Sequence, residues 1–165
     1  MVCYINFSLN GRDLMISEDN PNDVKMWKNN KYSKSRWNQI KIQTNLEGYK
    51  YIHIKPKKYY LHRINYFAHN QNWNIYDNSQ SNWIDHENKD NLNNNIENLR
   101  VVTSQENQWN TKAKGYYWDK EKQKWRAQIM VSGKNKFLGY FVLEEDARQS
   151  YLEAKKILHI IPNRK

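Results

Sequence analysis

Between Lys124 and Val131 the sequence alternates without a break. Trp125, Ala127, Ile129 and Val131 fall on one side of an extended chain, and Lys124, Arg126, Gln128 and Met130 on the other. A period of two admits a strand with one dry and one wet face and argues against a helix over the same stretch. Ser132-Gly133 supplies a turn into another strand, Lys136 to Phe141. Glu144, Glu145 and Asp146 then open a helix that ends near Lys155 and Lys156, charges that suit the two ends of the helix dipole. Ala147, Tyr151 and Ala154 recur at i, i+4 and i+7 and form its inner face. Strands backed by one helix leave the Lys, Arg and Gln face open. Such a basic sheet face is suited to reading DNA.

Upstream, the pattern is less regular. Residues 1–36 are rich in turn formers (Asn10-Gly11, Asn20-Pro21-Asn22, Asn29-Asn30) and read as a loop-rich strand region. Trp37, Ile40 and Ile42, then Tyr49, Tyr51, Ile52 and Ile54, flank Glu47-Gly48 and predict a hairpin. Leu61, Ile64, Phe67 and Ala68 fit one helix face. After a polar stretch, Trp83-Ile84-Asp85-His86 predicts a short strand, residues 88–98 an Asn-rich loop, and Leu99 to Val102 a second strand. Thr103-Ser104-Gln105-Glu106 satisfies a capping box, which sets Asn107 in the first turn of a helix. Residues 108–114 read as a linker.

Composition narrows the partners. The 165 residues carry 27 Lys and Arg against 17 acids, a formal charge of +10 with a pI near 9.5. The sharper explanation for that excess is a polyanionic partner. A mean hydropathy of −1.10 with no long apolar run argues against a membrane span. Seven Trp and twelve Tyr argue against disorder, because large amphipathic rings can build small cores while keeping a polar edge. A single cysteine, Cys3, excludes an internal disulfide and any multi-cysteine zinc site. The first twenty residues lack the pattern of a secretory signal, and the expected location is intracellular, in the cytoplasm or nucleus of a host cell.

One group of residues carries chemistry. Asp85 and an Asn amide oxygen are hard donors, suited to Mg²⁺ or Mn²⁺ rather than zinc. His86 is adjacent; at a strand end the carboxylate can hold a metal while the imidazole faces an attacking water. A neutral imidazole is a competent general base near physiological pH. Its other ring nitrogen has to be pinned to fix the tautomer, by an Asn or a backbone carbonyl.

The run Asp85-His86-Glu87-Asn88-Lys89-Asp90-Asn91-Leu92-Asn93-Asn94-Asn95-Ile96-Glu97-Asn98-Leu99-Arg100 closely resembles the signature of HNH endonucleases of the homing type found in phages and large DNA viruses. Leu61-His62-Arg63-Ile64 resembles that group's V-H-R-L helix start, and Val102-Thr103 with Glu106-Asn107 its third motif. The C-terminal unit resembles the plant ethylene-response-factor (APETALA-type) DNA-binding domain. The matching residues are Gly115-Tyr116, Trp118, Lys124 to Ile129, Leu138 to Phe141, Glu145, Ala147 and Tyr151.

The resemblance implies an α+β protein: a ββα-metal (His-Me finger) nuclease core followed by a small three-stranded antiparallel sheet packed on one helix. Its expected divisions are an N-terminal segment over 1–36, a nuclease domain over 37–110 and a DNA-binding domain over 111–165. It further implies that Asp85 and Asn107 ligate one Mg²⁺ or Mn²⁺, that His86 activates water, and that Asn98 constrains the loop and the histidine. Lys124, Arg126, Gln128 and Lys136 become DNA contacts, and His62 and Arg63 structural or phosphate contacts. Lys89 stands where a turn glycine is common and must take a left-handed backbone; Glu87 stands where an apolar residue is common. The expected activity is metal-dependent hydrolysis of phosphodiester bonds in double-stranded DNA, by a monomer or a transient dimer. The alternative is a DNA-binding protein or regulator with a decayed nuclease centre.

Overall fold

The computed structural model describes residues 2–111 and 113–162. The chain is α+β, and divides into two units at Thr103/Ser104. This division precedes the expected one at 110/111 and assigns the short helix carrying Asn107 to the second unit.

The first unit opens with strands β1 (Tyr4–Leu9), β2 (Arg12–Ser17), β3 (Val24–Lys28) and β4 (Arg36–Gln39), an antiparallel sheet in that spatial order. Asn10 and Gly11 join β1 to β2 with φ of 52° and 66°. Two positive-φ residues give the hairpin a turn whose twist matches that of its strands. Phe7 faces Leu14 and Ile5 faces Ile16 across the pair. The loop-rich strand region expected here thus does hold strands, and they contribute to the core of the first unit. Phe7, Leu9, Leu14, Ile16 and Val24 share one core with Ile52, Ile54, Leu61, Ile64 and Ile75. The turn formers lie between the strands rather than in place of them. Trp37 is also reassigned: it belongs to β4, opposite Trp27, with ring centroids 5.4 Å apart.

Strands β5 (Gln43–Thr44), β6 (Lys50–Ile54) and β7 (Lys57–Tyr60) form a second antiparallel sheet, with Gly48 in the turn at φ 88°. Helix α1 (Leu61–His69) follows β7 directly. Its fully buried Leu61 and Ile64 face the first core. Strands β8 (Trp83–His86) and β9 (Leu99–Val102) pair antiparallel, and α1 packs on both. Tyr66, Ile84 and Leu99 close a smaller core there. Burying Leu99 completely contributes about 1.5–3 kcal/mol to holding β9 in place.

The second unit starts with α2 (Ser104–Trp109), which extends into the stretch expected as linker. The Trp109 ring stacks on His159 at 4.7 Å, and Lys155 Nζ donates to the Thr111 carbonyl at 3.3 Å. Then come β10 (Tyr116–Asp119), β11 (Lys124–Val131), β12 (Lys134–Phe141) and α3 (Glu144–Leu158). The three strands form an antiparallel sheet in the order β10-β11-β12, and α3 packs on it. Ala127 and Ile129 from β11 are buried, as are Ala147 and Tyr151 from α3.

Lys136 requires a correction. A bulge interrupts the pairing of β11 with β12: Ala127 faces Gly139, but Gln128 faces Phe137 and Ile129 faces Lys136. The extra residue reverses the parity of the first half of β12. Lys136 thus registers on the side of Ile129, which is the helix side, and Phe137 takes its place on the open face.

Candidate active site

The site forms around the end of β8. Asp85 and His86 are both almost fully buried, at 7% and 4% exposure. Asp85 lies directly opposite Arg100 in register, and His86 opposite Leu99. The Arg100 guanidinium grips one carboxylate oxygen of Asp85, with Nε 3.1 Å and Nη2 2.9 Å from Oδ2. Arg100 Nη1 lies 4.0 Å from Glu87 Oε2, so the guanidinium stands between two carboxylates.

His86 sits among rings. Its centroid is 5.2 Å from that of His62, edge-on, and 6.2 Å from that of Tyr49. Tyr49 is also 5.6 Å from His62, which stacks on Tyr60. Burial chiefly, followed by the Glu47 and Asp85 charges, raises the Tyr49 hydroxyl above its ordinary pKa. Tyr49 therefore lies beside His86 and within electrostatic reach of Asp85.

His86 Nε2 lies 3.0 Å from the Asn94 side-chain oxygen. With that oxygen accepting, Nε2 carries the proton of the neutral ring and the basic lone pair is on Nδ1. The histidine is thus pinned by Asn94, not by Asn98. Asn98 holds the loop instead: Oδ1 accepts the Asn88 N–H at 3.0 Å, and Nδ2 donates to the Asn93 carbonyl at 2.8 Å. Asn94 is 1% exposed, and its carbonyl accepts from Asn65 Nδ2 at 2.6 Å. Nothing in the sequence marked it, since it stands in the middle of a run of like residues, Asn93-Asn94-Asn95, with Asn91 and Asn98 nearby.

The two residues at the α1 start hold structure. Burial, with lesser effects from His86 and Arg63, pushes the His62 imidazole down to about 3, so it is neutral at physiological pH and brings no positive charge to a phosphate. Arg63 donates to the carbonyls of Asn82, Ile75 and Asp77 at 2.9–3.1 Å and covers the Trp73 ring, fastening the 74–82 segment to α1.

Lys89 ends the turn after His86: its N–H donates to the His86 carbonyl at 2.9 Å, and its φ is 62°. A left-handed non-glycine residue costs about 1–2 kcal/mol, against which a glycine loses about 0.5–1 kcal/mol of chain entropy. Lys89→Gly is expected to stabilise the protein by about 0.5 kcal/mol, measured as a higher urea midpoint at unchanged slope. A lower midpoint would mean that the lysine makes compensating contacts.

As to metal, the hard oxygen donors expected from the sequence are the Asp85 carboxylate, which Arg100 holds, and the Asn107 amide. Among the described residues no three His, Cys, Asp or Glu side chains gather into a cluster. Asn107 lies on α2, in the second unit.

The open face of the second unit is more aromatic than the sequence indicates. Arg126 lies between Tyr117 and Tyr140 in register, with its guanidinium 5.9 Å from the Tyr117 ring and 5.5 Å from the Phe137 ring. Tyr117 and Phe137 are about half exposed. Gln128 and Lys124 flank Arg126 along β11, and Lys124 faces Asp119. The signal for the bulge was Gly139 inside a strand pattern, here at φ 149°.

No family model matches the chain, and no solved structure matches it. Among curated proteins, Protein 3.8 of Escherichia phage T7 is 37% identical over 60 residues, a match covering 32% of this chain and 50% of that protein. The chain therefore spans half the length of this relative.

Proposed function

We propose that the chain is a divalent-metal-dependent DNA endonuclease of the HNH type, directed to its target by the second unit. The observation that carries the reading is the pairing at the end of β8: a buried carboxylate beside an imidazole whose Nε2 is held by a buried Asn94 oxygen. Held so, His86 presents Nδ1 as the base that takes a proton from an attacking water. Asn94 fixes the tautomer, Asn98 fixes the loop, and the ring of Tyr49 keeps bulk water from the imidazole. Asp85 would hold a Mg²⁺ or Mn²⁺ ion, and the resemblance gives Asn107 the same role. Such an ion would supply charge stabilisation at the scissile phosphate and its leaving oxygen.

The charge of +10 supports a DNA partner, as does the sheet face carrying Arg126, Gln128 and Lys124. Arg bound between aromatic rings is pre-set for contact with a base edge or phosphate. The phage relative supports a viral setting.

The second reading, a DNA-binding protein with a decayed centre, is favoured by one observation: Arg100 already occupies Asp85 Oδ2. Supercoiled plasmid separates the two. The endonuclease is expected to nick it with Mg²⁺ and to leave it intact with EDTA. Absence of nicking under both conditions, together with salt-sensitive retention of the plasmid, would replace the enzyme by the binder.

A further inference from the structure

We propose that the outer face of the β6–β7 hairpin is the DNA track of the first unit, with Lys58 holding a backbone phosphate of the strand that reaches His86. The proposal rests on the reading of the partner as DNA. It adds to that reading a contact within the first unit, apart from the sheet face of the second.

Residues 48–76 hold four Lys, Arg63 and three His, and no Asp or Glu; the acids that bound them are Glu47 and Asp77. Two of these cations already have structural partners. Lys50 Nζ donates to the Asn22 side-chain oxygen at 2.8 Å, and Arg63 donates to backbone carbonyls. Register sorts the rest. In β6, Ile52 and Ile54 are buried in the core, and Tyr51 and His53 take the opposite side. In β7, Tyr59 is buried opposite Ile52, while Lys58 faces His53 and Tyr60 faces Tyr51. Tyr51, His53, Lys58 and Tyr60 thus share one outer face. Among the described residues, Lys58 enters no ion pair with a carboxylate.

Lys58 is held in place rather than loose. Its Nζ lies 5.0 Å from the Tyr51 ring centroid and 4.8 Å from that of Tyr60, and it donates to the Tyr60 hydroxyl at 3.3 Å. The two rings attract the ammonium without neutralising it. A fixed cation with no acid beside it is complementary to an anionic chain, and a side chain already ordered loses less freedom on binding one. The same face leads to the candidate base through rings. Tyr60 stacks on His62 at 5.6 Å with the planes 16° apart, and His62 meets His86 at 5.2 Å. Tyr49, just before β6, stands 5.9 Å from Tyr60 and 6.2 Å from His86. A DNA strand with one phosphate at His86 therefore continues over Tyr60 toward Lys58.

The test is the salt dependence of binding by the full chain to short DNA duplexes in EDTA, with plasmid nicking in Mg²⁺ measured beside it. Each phosphate that a protein neutralises adds about 0.9 to the slope of log affinity against log salt. Lys58→Gln is expected to lower that slope by about one. It should weaken binding to duplexes of different sequence alike, because phosphates carry no sequence information. Lys57→Gln removes the same charge one residue away, where the side chain registers opposite buried Ile54 and lies over Tyr76. Its slope should stay at the wild-type value, as should that of Lys58→Arg, which keeps the cation. An unchanged slope in Lys58→Gln overturns the track and, with nicking intact, leaves the endonuclease standing. Equal falls in Lys57→Gln and Lys58→Gln also overturn it, since net charge and not this face would then set affinity. A slope as low in Lys58→Arg as in Lys58→Gln would make the lysine a packing residue and remove it from the phosphate. If the wild-type chain shows no salt-sensitive binding to duplex, DNA is not the partner and both readings fall.

Discussion

His86→Ala is expected to lower the rate of Mg²⁺-dependent plasmid nicking by about 10²–10⁴-fold, the usual contribution of a general base, while DNA affinity stays at the wild-type value. The imidazole is 4% exposed and enclosed by Tyr49, His62 and Asn94, so it has almost no surface with which to bind DNA. Its removal leaves the Asn94 oxygen without this donor, a local penalty of about 1–3 kcal/mol. Thermal unfolding of the variant should therefore be recorded beside the kinetics. Nicking by folded variant at the wild-type rate would remove His86 from the chemistry. A parallel fall in affinity and cleavage would make it a binding residue instead. His62 is the natural comparison. It is buried too, held neutral, and stacked on Tyr60. His62→Gln should affect cleavage less than His86→Ala, because it loses packing behind the base and not the base itself.

How much of this was legible in the sequence depended on the range of the interactions. The alternation from Trp125 to Val131 marked β11, the apolar positions from Leu61 to Ala68 marked α1, and both are local patterns. The left-handed Lys89 was also legible, since the motif leaves that position little other backbone choice. Residues 1–36 read as loop-rich strands, but their share in the core was not legible, for a definite reason. Ile5, Phe7, Leu9, Leu14 and Ile16 do alternate around Asn10-Gly11, but each strand has six residues, and the intervening Asn-rich turns dilute the signal. Lys136 misled because parity counted along one strand does not survive a bulge, which pairing between two strands decides. Asn94 was invisible for a similar reason. Its contact with His86 closes over eight residues of loop whose path is set by Asn98 and by Asn65 on α1. Arg100 could have been found, because Asp85 and His86 fix the register of β8 against β9 once the loop length is known. A carboxylate with an arginine directly across the ladder is then a pair to be expected.

Gly115→Ala is expected to destabilise the second unit by about 2–5 kcal/mol, the sum of a left-handed alanine and an overpacked core. Gly115 has φ 70°, and a Cβ there would fall inside the ring of Tyr151. That ring cannot easily yield: it is 7% exposed and fixed to the middle of α3. Nor can the glycine, whose carbonyl accepts the Gln128 N–H of β11 at 2.9 Å. The entry into β10, the centre of β11 and the inner face of α3 therefore meet at one point where only a hydrogen atom fits. This is the packing that keeps α3 on one side of the sheet and leaves Arg126, Tyr117 and Phe137 on the other. The substitution should accordingly lower the urea midpoint followed by near-ultraviolet circular dichroism of the Trp residues. Salt-sensitive binding to duplex DNA should weaken with it, although every residue of the open face is unchanged. A loss of stability below about 1 kcal/mol would mean that Tyr151 can leave its place cheaply, well under the cost of overpacking a rigid core. Full stability with lost binding would point elsewhere: Gly115 itself would then be at the DNA contact, where its bare backbone, and not the sheet behind it, meets the phosphate.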